Sequence, residues 1–235
     1  MKKLMPLLAL AATACGHQTI DRELKDIPNL EISVTPVAIP SRNMSSLLYF
    51  EWSFGEDCFR IPEDSQLTIN GEAATMESRG TWGLGSDGAY RCKYPTFMSP
   101  ARAVDEPRTE FILSDGSSNL RAVFLALRAP RRSRVNGQEQ ATVRGETEVD
   151  IEWQPATDQF DKLDVFVLKD GMSTHWLQNP RREGNHIRVT LPALEAGNYA
   201  LRVSAKGSAG VEACEGFSSC RAGFDEHLVM PVVVE

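Results

Sequence analysis

An all-β chain of two tandem sandwich domains is what this sequence predicts. Three observations carry the prediction. Apolar residues alternate with polar ones over short segments from Leu30 to the end. Turn-forming pairs such as Asn70-Gly71 and Asp115-Gly116 separate those segments, and no stretch keeps the 3.6-residue period of a long amphipathic helix. At roughly 100–150 residues per domain, a chain of 235 residues has room for two. With 42% hydrophobic and 24% charged residues the composition is that of a globular protein, which excludes collagen, low-complexity disorder and a polytopic membrane protein. Lys plus Arg number 25 against 32 Asp plus Glu, a net charge of −7. That sign excludes nucleic-acid binding by overall charge.

The first element is a targeting segment. Lys2 and Lys3 precede the apolar run Leu4–Ala14. A bilayer-spanning helix needs about 20 residues, so this run is the core of an export signal. Ala12-Thr13-Ala14-Cys15 then resembles the lipobox of bacterial lipoproteins, although that pattern prefers Leu where Ala12 stands. The resemblance implies removal of residues 1–14 and lipidation of Cys15. Several acyl chains on one cysteine anchor firmly where a single chain does so only marginally. Gly16 in place of Asp after the cysteine implies the outer membrane.

Besides Cys15 there are Cys58, Cys92, Cys214 and Cys220, an even set suited to two bridges in an oxidising compartment. Four cysteines allow three connectivities. Keeping each bridge inside one domain favours Cys58–Cys92 and Cys214–Cys220. No zinc-type Cys/His spacing occurs, and no metal or other cofactor is expected.

Residues 15–29 read as a tether, with a short helix at Asp21–Asp26 as an option, and residues 30–135 as the first sandwich. Leu48, Phe50, Trp52 and Phe54 fall on one face of a strand. Leu67-Thr68-Ile69 and Ala73-Ala74-Thr75 flank Asn70-Gly71, the strongest short hairpin signal. Phe111-Ile112-Leu113 and Leu120–Leu127 flank Asp115-Gly116. The segment Ala129–Val135, with three arginines and a proline, reads as the joint between domains: a solvated linker, or alternatively a contact for lipid phosphate, cell-wall carboxylate or a partner.

Residues 136–235 form the second domain. Val149, Ile151 and Trp153 alternate, as do Val165 and Val167, and then Ile187, Val189 and Leu191. Leu194, Gly197, Tyr199 and Val203 follow in the spacing Leu-x-x-Gly-x-Tyr-x-x-x-Val. Over about 95 residues this resembles a fibronectin type III domain, with Trp153 on the second strand and Tyr199 at a tyrosine corner. The resemblance implies a buried Tyr199 ring whose hydroxyl bonds to nearby backbone. The first domain resembles a more distant immunoglobulin-like relative, in which Glu51-Trp52 stands where the second domain has Glu152-Trp153.

Candidates for chemistry are few. Gly83-Leu84-Gly85-Ser86-Asp87-Gly88 matches G-x-G-x-x-G, but a strand follows it, so a tight surface loop is expected rather than a dinucleotide site. Asp158, Asp161 and Asp164 could approach calcium only in a folded turn and read as a solvated loop. His17, His175, His186 and His227 lack any spaced catalytic partner. The preferred site is the loop Cys214–Cys220, where a short bridge would present Phe217, and Phe224 nearby, to a partner. The same bridge also reads as a stabiliser of an insertion.

The expected function is a non-enzymatic binding, adaptor or assembly module of the bacterial envelope, lipid-anchored at the outer membrane. Its expected partner is another envelope protein or a polysaccharide. The alternatives are an envelope hydrolase or carbohydrate-acting enzyme without a recognisable motif, and a small-ligand or calcium binder.

Overall fold

A computed structural model describes residues 19–34, 47–52, 58–84, 88–98 and 107–235, with the backbone alone for residues 47–52 and Tyr90. The expected signal segment 1–14, Cys15 and His17 lie outside the described residues. In chain order the strands are β1 (Thr19–Asp21), β2 (Leu30–Val34), β3 (Leu47–Trp52), β4 (Cys58–Arg60), β5 (Gln66–Ile69), β6 (Glu72–Ala73), β7 (Thr75–Leu84), β8 (Tyr90–Met98), β9 (Arg108–Ser114) and β10 (Asn119–Leu125). They continue as β11 (Arg132–Val135), β12 (Ala141–Val143), β13 (Glu148–Gln154), β14 (Gln159–Lys169), β15 (Met172–Leu177), β16 (Arg181–Glu183), β17 (His186–Thr190), β18 (Gly197–Ser208), β19 (Gly210–Glu215) and β20 (Ser219–Val234). Among the described residues the helical element is a 3₁₀ turn at Leu24–Asp26. The fold is all-β.

The later half forms an immunoglobulin-like sandwich by its own strand order. One sheet runs β11-β13-β17-β16, and the facing one runs β15-β14-β18-β20. β12 runs parallel to the end of β20, pairing Ala141–Val143 with Val232–Val234. Period two places Val149, Ile151 and Trp153 from one sheet against Val165, Val167, Leu201 and Val203 from the other, all buried in one core. Trp153 is fully enclosed there, on the second antiparallel strand of its sheet. The tyrosine corner differs from the expectation. The Tyr199 ring is buried, but its hydroxyl meets Lys169 Nζ at 3.5 Å rather than backbone, and the same ammonium lies 5.2 Å from the ring centroid.

The earlier half packs the sheet β10-β9-β5-β6 against β2-β3-β8-β7. Asn70 and Gly71 both take positive φ, 50° and 82°, in the turn that reverses β5 into β6. Cys58 is bonded to Cys92, tying β4 to β8. The core holds Ile32, Leu67, Ile69, Phe97, Phe111, Leu113 and Phe124.

The two cores do not divide the chain at residue 136. β19 pairs with β10, and Ser219–Ala222 pair in parallel with β2. Ala209, Phe217 and Ala222 are buried in the first core. The bonded pair Cys214–Cys220 therefore closes a loop that belongs to the first sandwich, although the chain reaches it from the second. One strand, β20, serves both: its first four residues complete the earlier sandwich, and from Phe224 it lines the later one. The physical reason is length. At about 3.3 Å per residue, a 16-residue strand spans more than one sandwich.

The expected tether is also revised. β1 pairs in parallel with β4, and Leu24 and Ile27 are buried in the first core. Asp115, in the β9–β10 turn, holds this segment. Its carboxylate accepts the Leu24 backbone N–H at 2.7 Å, the N–H groups of Ser117 and Ser118, and both serine hydroxyls. Burial alone would raise the acid's pKa; these donors outweigh it and bring the value down to about 2.

Candidate functional site

The β15-β14-β18-β20 sheet turns one face to its core and the other to solvent. On the outer face, register places Trp176, Phe166, Arg202 and Val229 side by side, one from each strand. Alternation decides this: Val165 and Val167 point inward, so Phe166 between them must point outward. Trp176 is 58% exposed and Val229 is 56% exposed. They are two of the five exposed large hydrophobic residues among those described. Exposed apolar side chains that gather on one face mark a contact surface, whereas scattered ones are ordinary. The Arg202 guanidinium carbon lies 4.6 Å from the Phe166 ring centroid, and its Nε is buried with no hydrogen-bond partner. Stacking holds this planar cation against the sheet's outer face.

The strip continues into a groove. β2 and β12 cover one edge of β20 at residues 219–222 and 232–234. Among the described residues no strand pairs with the stretch between them on that edge. Between it and β11 lies a cavity of about 300 Å³, lined by Arg132, Arg134, Glu152, Leu228, Val229 and Met230 among others. The buried Ser133 Oγ in its wall has no hydrogen-bond partner. An uncovered strand edge carries backbone donors and acceptors for an added strand.

The sequence-predicted site residues lie elsewhere. Phe217 is 7% exposed and Phe224 9% exposed, each buried in a different core. Neither is presented to a partner. The loop is short, and its aromatic side chains gain more from burial than a constrained tip could deny them. The Gly83–Gly88 segment connects β7 to β8 and carries no strand-to-helix geometry; residues 85–87 are outside those described.

Asp158, Asp161 and Asp164 are not a solvated loop. Asp161 pairs with Arg221, and Asp164 with Lys162. Asp158 is enclosed. Arg131 grips it through Nε at 3.1 Å and a second nitrogen at 3.2 Å, and the Trp153 indole donates to it at 3.0 Å. Burial pushes this carboxyl up, and the indole and guanidinium pull it back. Arg131 also lies 4.5 Å from the Phe224 ring centroid, and Arg182 lies 4.6 Å from that of Phe160. One arginine of the expected joint is therefore a core residue of the second sandwich. The charge run hid it because sequence shows neither its partner nor its burial.

His186 Nδ1 donates to Asp150 Oδ2 at 2.8 Å, and His175 lies against the Thr174 hydroxyl. His227 faces outward on β20. The strip itself leaves little trace in the sequence, because register between distant strands assembles it. Its one local signal is a tryptophan in Met172–Leu177, a segment otherwise exposed up to Leu177.

No family profile and no characterised sequence relative matches the chain. Among solved structures it is similar to the titin Ig tandem domains A164–A165, at 11% identity, covering 88% of this chain and 94% of that one with a TM-score of 0.25. It is also similar to the tandem Ig repeats of Dlar, at 14% identity, 88% and 94% coverage and a TM-score of 0.22. The fold class rests on the strand registers above.

Proposed function

We propose that this protein is a lipid-anchored, non-enzymatic binding module of a bacterial outer membrane, and that it holds another envelope protein on the Trp176–Val229 strip. The lipobox-like Ala12–Cys15 supports the anchor, with Cys15 acylated after loss of residues 1–14. Two bonded cysteine pairs suit an exported chain. The exposed aromatic-arginine-aliphatic row carries the binding assignment. Tryptophan and arginine are the side chains most enriched where binding energy concentrates. The adjoining edge of β20, unpaired among the described residues, favours a protein over a polysaccharide, because only a polypeptide repeats the matching backbone groups.

Two measurements test this. Mass spectrometry of the membrane fraction is expected to find an acylated Cys15 peptide; a free thiol there rejects the anchor. A photo-reactive amino acid at position 176 is expected to cross-link a protein in intact cells, and Val229→Glu is expected to remove that adduct. An adduct with polysaccharide, or one indifferent to Val229→Glu, rejects the protein-binding strip.

A further inference from the structure

The docking of residues 19–27 fixes where Thr19 sits, and so how far from the first sandwich an anchor on Cys15 can lie. Going backwards along β1, Asp21 lies beside Arg60 and Arg79, and Thr19 lies beside Cys58 and Trp82. The Trp82 backbone N–H donates to Thr19 Oγ1 at 3.4 Å. β1 thus points along β7 in the direction of Leu84. Cys15 stands four positions before Thr19, a reach of at most about 14 Å.

The second sandwich lies the other way. Val34 pairs with Ala222 at the point where β20 leaves the first core, and the row continues through Leu48 and Phe97 to Met76. The opposite end of that β7–β8 hairpin is the Leu84–Tyr90 pair. Eight residues of strand, roughly 26 Å at about 3.3 Å each, separate the two ends.

The hairpin's outer end has the composition of a membrane-interface element. Leu84 is 57% exposed, and Trp82 is half-buried on the same strand face. Arg91 and Lys93 are exposed on the other face. The Lys93 stem passes over Gly83, toward the tip. An aliphatic group with a tryptophan suits the headgroup boundary, and flanking cations suit lipid phosphates.

We infer that the β7–β8 hairpin touches the bilayer beside the anchor, so that the first sandwich stands end-on and holds the Trp176–Val229 strip away from the lipid. The bilayer is the occupant because Cys15 can lie at most about 14 Å from Thr19, and Thr19 is hydrogen-bonded to Trp82 of this hairpin. This inference rests on the proposed acylation of Cys15.

The test uses the full acylated protein reconstituted into phosphatidylethanolamine/phosphatidylglycerol vesicles, with and without brominated acyl chains. The protein is expected to float with the vesicles. Brominated chains are expected to quench its tryptophan fluorescence, by an amount that largely disappears in Trp82→Phe and persists in Trp176→Phe. Leu84→Glu, which leaves Trp82 in place, is expected to weaken the quenching without abolishing flotation. Flotation with quenching unchanged by Trp82→Phe and Leu84→Glu overturns the hairpin contact and leaves the anchor standing. A protein with unmodified Cys15 that does not float overturns the anchor, and the end-on placement with it.

Discussion

The two sandwiches solve the same packing problem with different amounts of help. The later one is assembled largely from consecutive strands, and its core carries a buried ion pair, Arg131–Asp158, set against Trp153, Phe160 and Phe224. The earlier one is completed from both ends of the sequence: by Leu24 and Ile27, and by Ala209, Phe217 and Ala222. A core built from neighbouring segments can be recognised in a sequence. A core that borrows a hairpin from far along the chain cannot, because the apolar pattern of that hairpin is the same whichever core it enters.

The largest expected effect tests the later core. Asp158→Ala leaves a guanidinium only 8% exposed without its carboxylate. Breaking a buried pair from one side costs about 3–5 kcal/mol, read as a loss of denaturation midpoint in the second sandwich. A loss below about 1 kcal/mol, the range of surface pairs, would remove the contrast with the earlier core. Phe217→Ala tests the other side of the comparison. The residue is remote in sequence from residues 30–135, yet its truncation is expected to cost about 3 kcal/mol in the unfolding of the earlier core. Hydrogen exchange separates the two: protection is expected to fall on β9 and β10 rather than on β13 and β17.

Acid sharpens the comparison further. Asp115 is held below its usual range in the folded state, at about 2 instead of 3.8. Its contribution is fully present above pH 4 and is lost as pH falls from about 4 to about 2. By linkage the amount is up to about 2 kcal/mol. Asp158 is shifted upward, so protonation does not penalise the later core in the same way. Chemical denaturation followed at pH 5 and pH 2.5 is expected to show the earlier core losing more, and Asp115→Asn is expected to flatten its pH dependence. The smallest effect is Tyr199→Phe, expected at about 0.5 kcal/mol or less. A full hydrogen bond would give about 1 kcal/mol; among the described residues the hydroxyl's one hydrogen-bond contact is Lys169 at 3.5 Å.

How much of this was legible varies by element. Val149-x-Ile151-x-Trp153 announces a half-buried strand because side chains alternate across a sheet, and the structure buries those three residues. Asn70-Gly71 announces its turn because both residues tolerate positive φ. The alternation of Val165 and Val167 already puts Phe166 on the opposite face, but nothing local to it announces that Trp176, Arg202 and Val229 will lie beside it. Arg131 and Asp158 each resembled a solvated charge, since neither predicts the other across 27 positions.

The all-β class, the turns and the apolar strand faces follow from local pattern, because alternation and backbone freedom act over a few neighbouring residues. That β20 joins two cores, that Phe217 and Phe224 are filling rather than bait, and that Trp176, Arg202 and Val229 share one row follows from the assembled fold. Strand register and ion-pair partners depend on residues far apart in the chain, and local pattern carries no record of which distant strand will lie alongside.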